Sequence, residues 1–208
     1  MTSCNIGCPF PRDAPCHRII WLDVIDDLNV PLPPLALSVR QPWAWAIIYG
    51  GKVIENRSLS AIRAGGMTPG RICIHAATGM TRSEYRWGDW RLDKHGVYCP
   101  APSELPRGAI IGTVEVIEII TESDSEWFGG QAGLRLANPK AIVPVPAQGA
   151  LGYFTWKEAA DFARILPWMS KHDRDAAAAS LFEDLPVQFA SEPLKPFGAK
   201  ALRPKLKE

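Results

Sequence analysis

Residues 37–57 read LSVRQPWAWAIIYGGKVIENR, and the rest of the chain is best understood outward from them. Leu35 to Arg40 is a short β-type run. Pro42 suits the first position of a helix, where its missing N–H costs nothing. The segment that follows is apolar nearly all round, with Trp43, Ala46 and Ile47 on one face and Trp45, Ile48 and Tyr49 on another. Such a helix belongs inside a domain. Gly50-Gly51 ends it, because glycine tolerates the left-handed conformation common at helix C-termini. Lys52 to Arg57 then reads as a strand carrying Lys52, Glu55, Asn56 and Arg57 close to two tryptophans. Strands that only fill a core do not concentrate polar groups in this way, so the candidate site is placed here.

Further along, RICIHA (71–76) and AIIGTVEVIEII (109–120) read as strands, the second with a buried and a wet face. TRSEYRWGDWRLDK (81–94) reads as a surface helix, since Thr81 and Glu84 match a capping box. Two β-rich segments follow, near 134–137 and 141–145, and 150–154 looks like a closing strand. Many short strands with turn signals and few helices suggest a small barrel. KEAADFARIL (157–166) and DRDAAAASLFEDL (173–185) have helical patterns, and Lys195, Lys200, Arg203, Lys205 and Lys207 make a basic tail. That division gives an irregular leader (1–34), a central α+β domain (35–155) and a helical extension (156–208).

Composition bounds the function. The chain has 208 residues, 47% hydrophobic and 22% charged, with a net charge of +1. A globular domain is expected, with no global field drawing it onto a polyanion, so nucleic-acid binding would need a local patch. Nineteen prolines predict many loops, and eight tryptophans offer core pieces or platforms for stacked bases. No stretch has the length of a membrane span. The absence of a secretory leader and an odd count of five cysteines point to a reducing cytoplasm with free thiols. Cys4, Cys8, Cys16 and His17 are zinc-ligand types. They crowd into one end without paired Cys-x2-Cys spacing, which favours a loose or docked tail and no metal.

Lys52 and Glu55 carry the chemistry of the opening stretch. Burial would lower the lysine pKa and make it a proton relay, whereas a neighbouring carboxylate keeps it a fixed cation. In a regular strand, residues three apart face opposite ways. The two can share a pocket only if Lys52 lies on the Gly-Gly turn or the strand bulges. The plain alternative is an internal salt bridge tying Glu55 to Arg57 or Arg40. The loop 121–127 offers Glu122, Asp124, Glu126 and Trp127, acids beside an aromatic that suit a polar heterocycle, or a solvated turn. His75, on a strand, is the type of residue that more often completes a core than performs catalysis. There is no Ser-His-Asp spacing, P-loop or GxGxxG motif.

The stretch SVRQPWAWAIIYGGKVIENR closely resembles the opening motif of ASCH domains, members of the PUA-like group. Ser38, Arg40, Pro42, Trp43, Gly50, Lys52, Glu55 and Arg57 match its pattern, and RICIHAA, GAIIGTVEVIEII and GALGYF fit later pieces. The resemblance spans about residues 35–155. It implies a small PUA-like β-barrel of five to six strands flanked by short helices, with a cleft beside Lys52. It also implies association with RNA or modified nucleotides. Some relatives are reported as ribonucleases, and small bacterial ones deacylate N4-acetylcytidine with a lysine, a threonine and a glutamate. Lys52 matches that lysine, and Glu55 occupies the threonine's place. The implied site is therefore Lys52 and Glu55 with a third acid among Glu122, Asp124 and Glu126, of which Glu122 is taken first. Trp43, Arg40, Asn56, Arg57, His75, Asp124 and Trp127 would contact substrate. The functions that follow are a metal- and cofactor-free amidohydrolase on N4-acylated cytosine nucleosides or, as the alternative, a non-catalytic RNA- or DNA-binding module or a ribonuclease.

Overall fold

A computed structural model describes residues 31–172. In chain order the elements are β1 (Leu35–Val39), α1 (Trp43–Tyr49), β2 (Ile54–Asn56), α2 (Leu59–Ala64), β3 (Gly70–Ala76), α3 (Arg82–Lys94), β4 (Ala109–Ile120), β5 (Gly133–Pro146), β6 (Tyr153–Thr155) and α4 (Pro167–Ser170). The six strands form one sheet in the order β2-β5-β4-β3-β1-β6. β1 and β3 run parallel, and every other pair is antiparallel.

Strand alternation divides the buried side chains between two faces. Leu37 and Val39 of β1 and Ile72, Ile74 and Ala76 of β3 join Ile47 and Ile48 of α1 in the main core. Each such Leu or Ile removed from water contributes about 1.5–3 kcal/mol. The intervening residues Ala36 and Cys73 face the other way, into a smaller cluster with Ile110 and Ala147, against which Phe154 and Trp156 pack. A third cluster joins α1 to α3 through Ala46, Tyr85 and Leu92. Gly88 permits that approach: a β-carbon there would lie 2.2 Å from Pro42 Cγ.

The expected α+β class and number of strands hold, as do the strands at 71–76 and 109–120 and the Thr81–Glu84 capping box. The six-stranded mixed sheet fits the expected PUA-like architecture, and it is not closed. Both edge strands, β2 and β6, are three residues long. The corner after α2 meets β6, where the Tyr153 N–H donates to the Gly65 carbonyl at 2.9 Å. The two segments near 134–145 are one strand, β5, which continues through Asn138 at a φ of 49°.

The helix expected over 157–166 is absent. The Ala163 amide, which a helix would bond to the Ala159 carbonyl, donates instead to the Arg107 carbonyl at 2.9 Å, and the Ala159 amide donates to the Pro146 carbonyl at 2.8 Å. Ala147 bridges Glu158, so this segment lies along the end of β5, and among the described residues after it only the single turn of α4 is helical. The zinc-type leader residues, the helix expected over 173–185 and the basic tail lie outside the described residues. No helix among the described residues is long and apolar enough to cross a membrane.

Candidate active site

Local chain geometry brings Lys52 and Glu55 together. Gly51, at a φ of 68°, turns the chain after α1, and β2 does not begin until Ile54. Lys52 therefore precedes the strand and escapes its alternation. Its ammonium donates to Glu55 Oε2 at 2.7 Å and to the Ile54 carbonyl at 2.5 Å. The Lys52 and Glu55 side chains are 5% and 10% exposed, so the pair is largely out of water. Arg57 Nη2 lies 3.2 Å from Glu55 Oε1. Burial pushes the Glu55 carboxyl pKa upward, but the Lys52 and Arg57 charges and their hydrogen bonds outweigh it and hold the group below its ordinary value. Glu55 is a carboxylate at neutral pH.

Arg57 also donates to the Ser38 carbonyl at 2.7 Å, while its buried Nε has no hydrogen-bond partner among the described residues. Ser38 lies directly opposite His75 in the parallel β1–β3 register, and Ser38 Oγ is 2.8 Å from His75 Nδ1. His75 Nε2 is 3.0 Å from the Ala147 carbonyl. Desolvation lowers the His75 pKa, with the Ala147 contact opposing, so the ring is neutral at physiological pH. Ser38 and His75 line a cleft of about 840 Å³ whose other walls include Gly149, Leu151, Phe162 and Ala163. Lys52 and Glu55 are not among its lining residues; Arg57 connects their pair to the backbone of Ser38.

The other expected site residues are dispersed. Arg40 pairs with Glu84 at 2.7 Å on the surface. Trp43 packs against the main core. Both ends of the Asn56 amide are engaged by the β4–β5 loop: Nδ2 donates to the Trp127 carbonyl at 2.8 Å, and Oδ1 accepts the Gly129 N–H at 3.0 Å. Trp127 stacks on His95 at 4.0 Å. Glu122 and Asp124 are exposed, and neither forms a hydrogen bond or ion pair with Lys52 or Glu55. The cleft also brings in residues the sequence did not single out as a site. Ser38 was visible only as part of a motif, and its partnership with His75 depends on strand register. Arg107, buried near the cleft, donates to the Thr78 and Arg164 carbonyls.

Among known proteins, the ASCH domain family model matches residues 37–179 of this chain. No curated protein matches it significantly.

Proposed function

The chain belongs to the ASCH family, and from that premise we propose that it is a metal-independent amidohydrolase that removes the acyl group from N4-acylated cytosine nucleosides such as N4-acetylcytidine. The observation that carries this reading is the buried ion pair of Lys52 with Glu55, 2.7 Å apart and joined through Arg57 to the backbone carbonyl of Ser38, a residue that lines the cleft. Amide hydrolysis needs a proton acceptor, a cation near the developing oxyanion and a proton for the leaving amine. The Glu55 carboxylate can accept a proton from water. An ammonium has three N–H donors; Lys52 commits two, to Glu55 and Ile54, which leaves one for the oxyanion or the amine. The polar end of the cleft at Ser38 and His75, opposite apolar walls from Leu151 and Phe162, suits a flat polar base carrying a small acyl group.

Incubation with N4-acetylcytidine should release cytidine. Glu55→Gln should lower turnover by about 10²–10⁴-fold, with retained secondary structure verified by circular dichroism. A Glu55→Gln variant that hydrolyses the substrate at the wild-type rate would sink the assignment of Glu55.

A second reading is favoured by the burial of the lysine. An ammonium only 5% exposed and already bound to Glu55 and a carbonyl also suits a strut that shapes a binding cleft. In that case the protein is an RNA-binding module without catalysis. Salt-sensitive binding to single-stranded RNA with no release of cytidine would select it.

A further inference from the structure

Ser38 and His75 form a polar pair at the cleft whose proton arrangement can be deduced. The Ala147 carbonyl is an acceptor only, so the 3.0 Å contact requires the hydrogen on His75 Nε2. In the neutral ring, Nδ1 then carries the lone pair, and it faces Ser38 Oγ at 2.8 Å. The hydroxyl must donate to the ring. This gives a serine beside a base whose tautomer is fixed by a third group, the relationship that activates hydroxyl nucleophiles. Burial, which disfavours imidazolium, maintains the unprotonated form.

The surroundings support the same use. His75 is 1% exposed, and Ser38 is partly exposed where it lines the cleft. The loop carrying Gly149 passes close by: a β-carbon at that position would lie 2.6 Å from Ser38 Oγ and 2.5 Å from His75 Cε1. Glycine is therefore required there, and any side chain would crowd both groups. Leu151, Phe162 and Ala163 provide apolar wall on the same cleft, suitable for the hydrocarbon part of an acyl group.

We propose that Ser38 is a nucleophile, with His75 as its general base, that takes the acyl group from an amide or ester seated in this cleft. Ser38 Oγ bonds to the acyl carbonyl carbon as its proton passes to His75 Nδ1. The tetrahedral adduct collapses with cleavage of the bond to the leaving amine, which departs with that proton and leaves an acyl-serine. Water then adds to the acyl carbon and gives a proton to Nδ1. The C–Oγ bond breaks, Oγ regains the proton, and a carboxylic acid leaves. The choice of an N4-acylated cytosine as natural substrate rests on the preceding functional reading; the acyl-serine does not. In this route His75, and not Glu55, takes the proton from water, and the Lys52–Glu55 pair acts through Arg57 by positioning the Ser38 backbone.

The test treats the full chain with p-nitrophenyl acetate and separately with N4-acetylcytidine, quenches in acid, and maps acetyl groups by peptide mass spectrometry. An acetyl group on Ser38 is expected. It should be absent from Ser38→Ala, which loses one hydrogen bond at a partly exposed position, and present as a thioester at residue 38 in Ser38→Cys. Cytidine release should fall about 10²–10⁴-fold in Ser38→Ala. No acetyl group at residue 38 in either wild type or Ser38→Cys overturns the proposal and assigns the pair a purely cross-strand role. Unchanged N4-acetylcytidine turnover in Ser38→Ala also overturns it while preserving the amidohydrolase reading. Labelling of Ser38 by the ester without turnover of the nucleoside supports the nucleophile and removes the nucleoside as substrate.

Discussion

Glu55 lies between two cations in a nearly dry setting, so its removal leaves charges without a partner. Glu55→Gln should destabilise the fold by about 3–5 kcal/mol, as expected when one member of a buried ion pair is lost; urea denaturation measures this directly. Acid should act on the same site. The Glu55 pKa is lower in the folded chain than its ordinary 4.5, so its stabilisation is complete above that value and is lost as pH falls through the folded pKa. The His75 pKa is likewise depressed below 6.5. The unfolded chain takes up this proton first, and stability from the neutral ring erodes as pH falls below 6.5. Urea midpoints measured from about pH 8 to about pH 2 should therefore decline in two stages. A midpoint constant down to the carboxylate range would contradict a buried neutral His75.

At the scale of elements, α3 provides the clearest tests. Gly88 is a poor helix former retained in the middle of a 13-residue helix, and its contact with Pro42 explains why. Gly88→Ala gains up to about 1 kcal/mol of helix propensity. It should nonetheless be destabilising overall, because a β-carbon 2.2 Å from the proline ring forces apart α3 and the start of α1, and overpacking of this kind costs about 1–3 kcal/mol. Thr81→Ala should cost about 1 kcal/mol by removing the capping box, detectable as a lower midpoint of thermal unfolding. The capping box, the long strand β4 and the Gly-Gly helix stop could all be read locally, since each depends on neighbours within a few residues. The segment 157–166 could not. Its composition favours a helix, but hydrogen bonds from its amides to the Pro146 and Arg107 carbonyls and the packing of Trp156 against the smaller cluster with Ala36 and Cys73 hold it in an extended course.

For the molecule as a whole, the extended segment and the sheet meet at Arg107. Its side chain, 4% exposed, donates to the Thr78 and Arg164 carbonyls, joining two stretches that border the cleft. Hydrogen bonds involving a charged group contribute about 1.5–3 kcal/mol. Arg107→Met should leave the sheet intact by circular dichroism while accelerating hydrogen exchange at residues 159–166. Unchanged exchange there would show that the segment is held by its backbone bonds alone.

By itself, the sequence determined the family motif, the α+β class and most strand positions, and it singled out Lys52–Arg57 as the candidate site. These follow from short-range rules: alternation, glycine and proline geometry, and capping chemistry. Only the tertiary structure decided that the sheet remains open, that Lys52 meets Glu55 from outside the strand, and that Asn56 is engaged by the β4–β5 loop. It alone paired Ser38 with His75. Those residues are 37 positions apart, and a hydrogen bond between them exists only because β1 and β3 run parallel in the register that sets one opposite the other. Strand order and register are properties of the assembled sheet, and no local pattern in either strand specifies them.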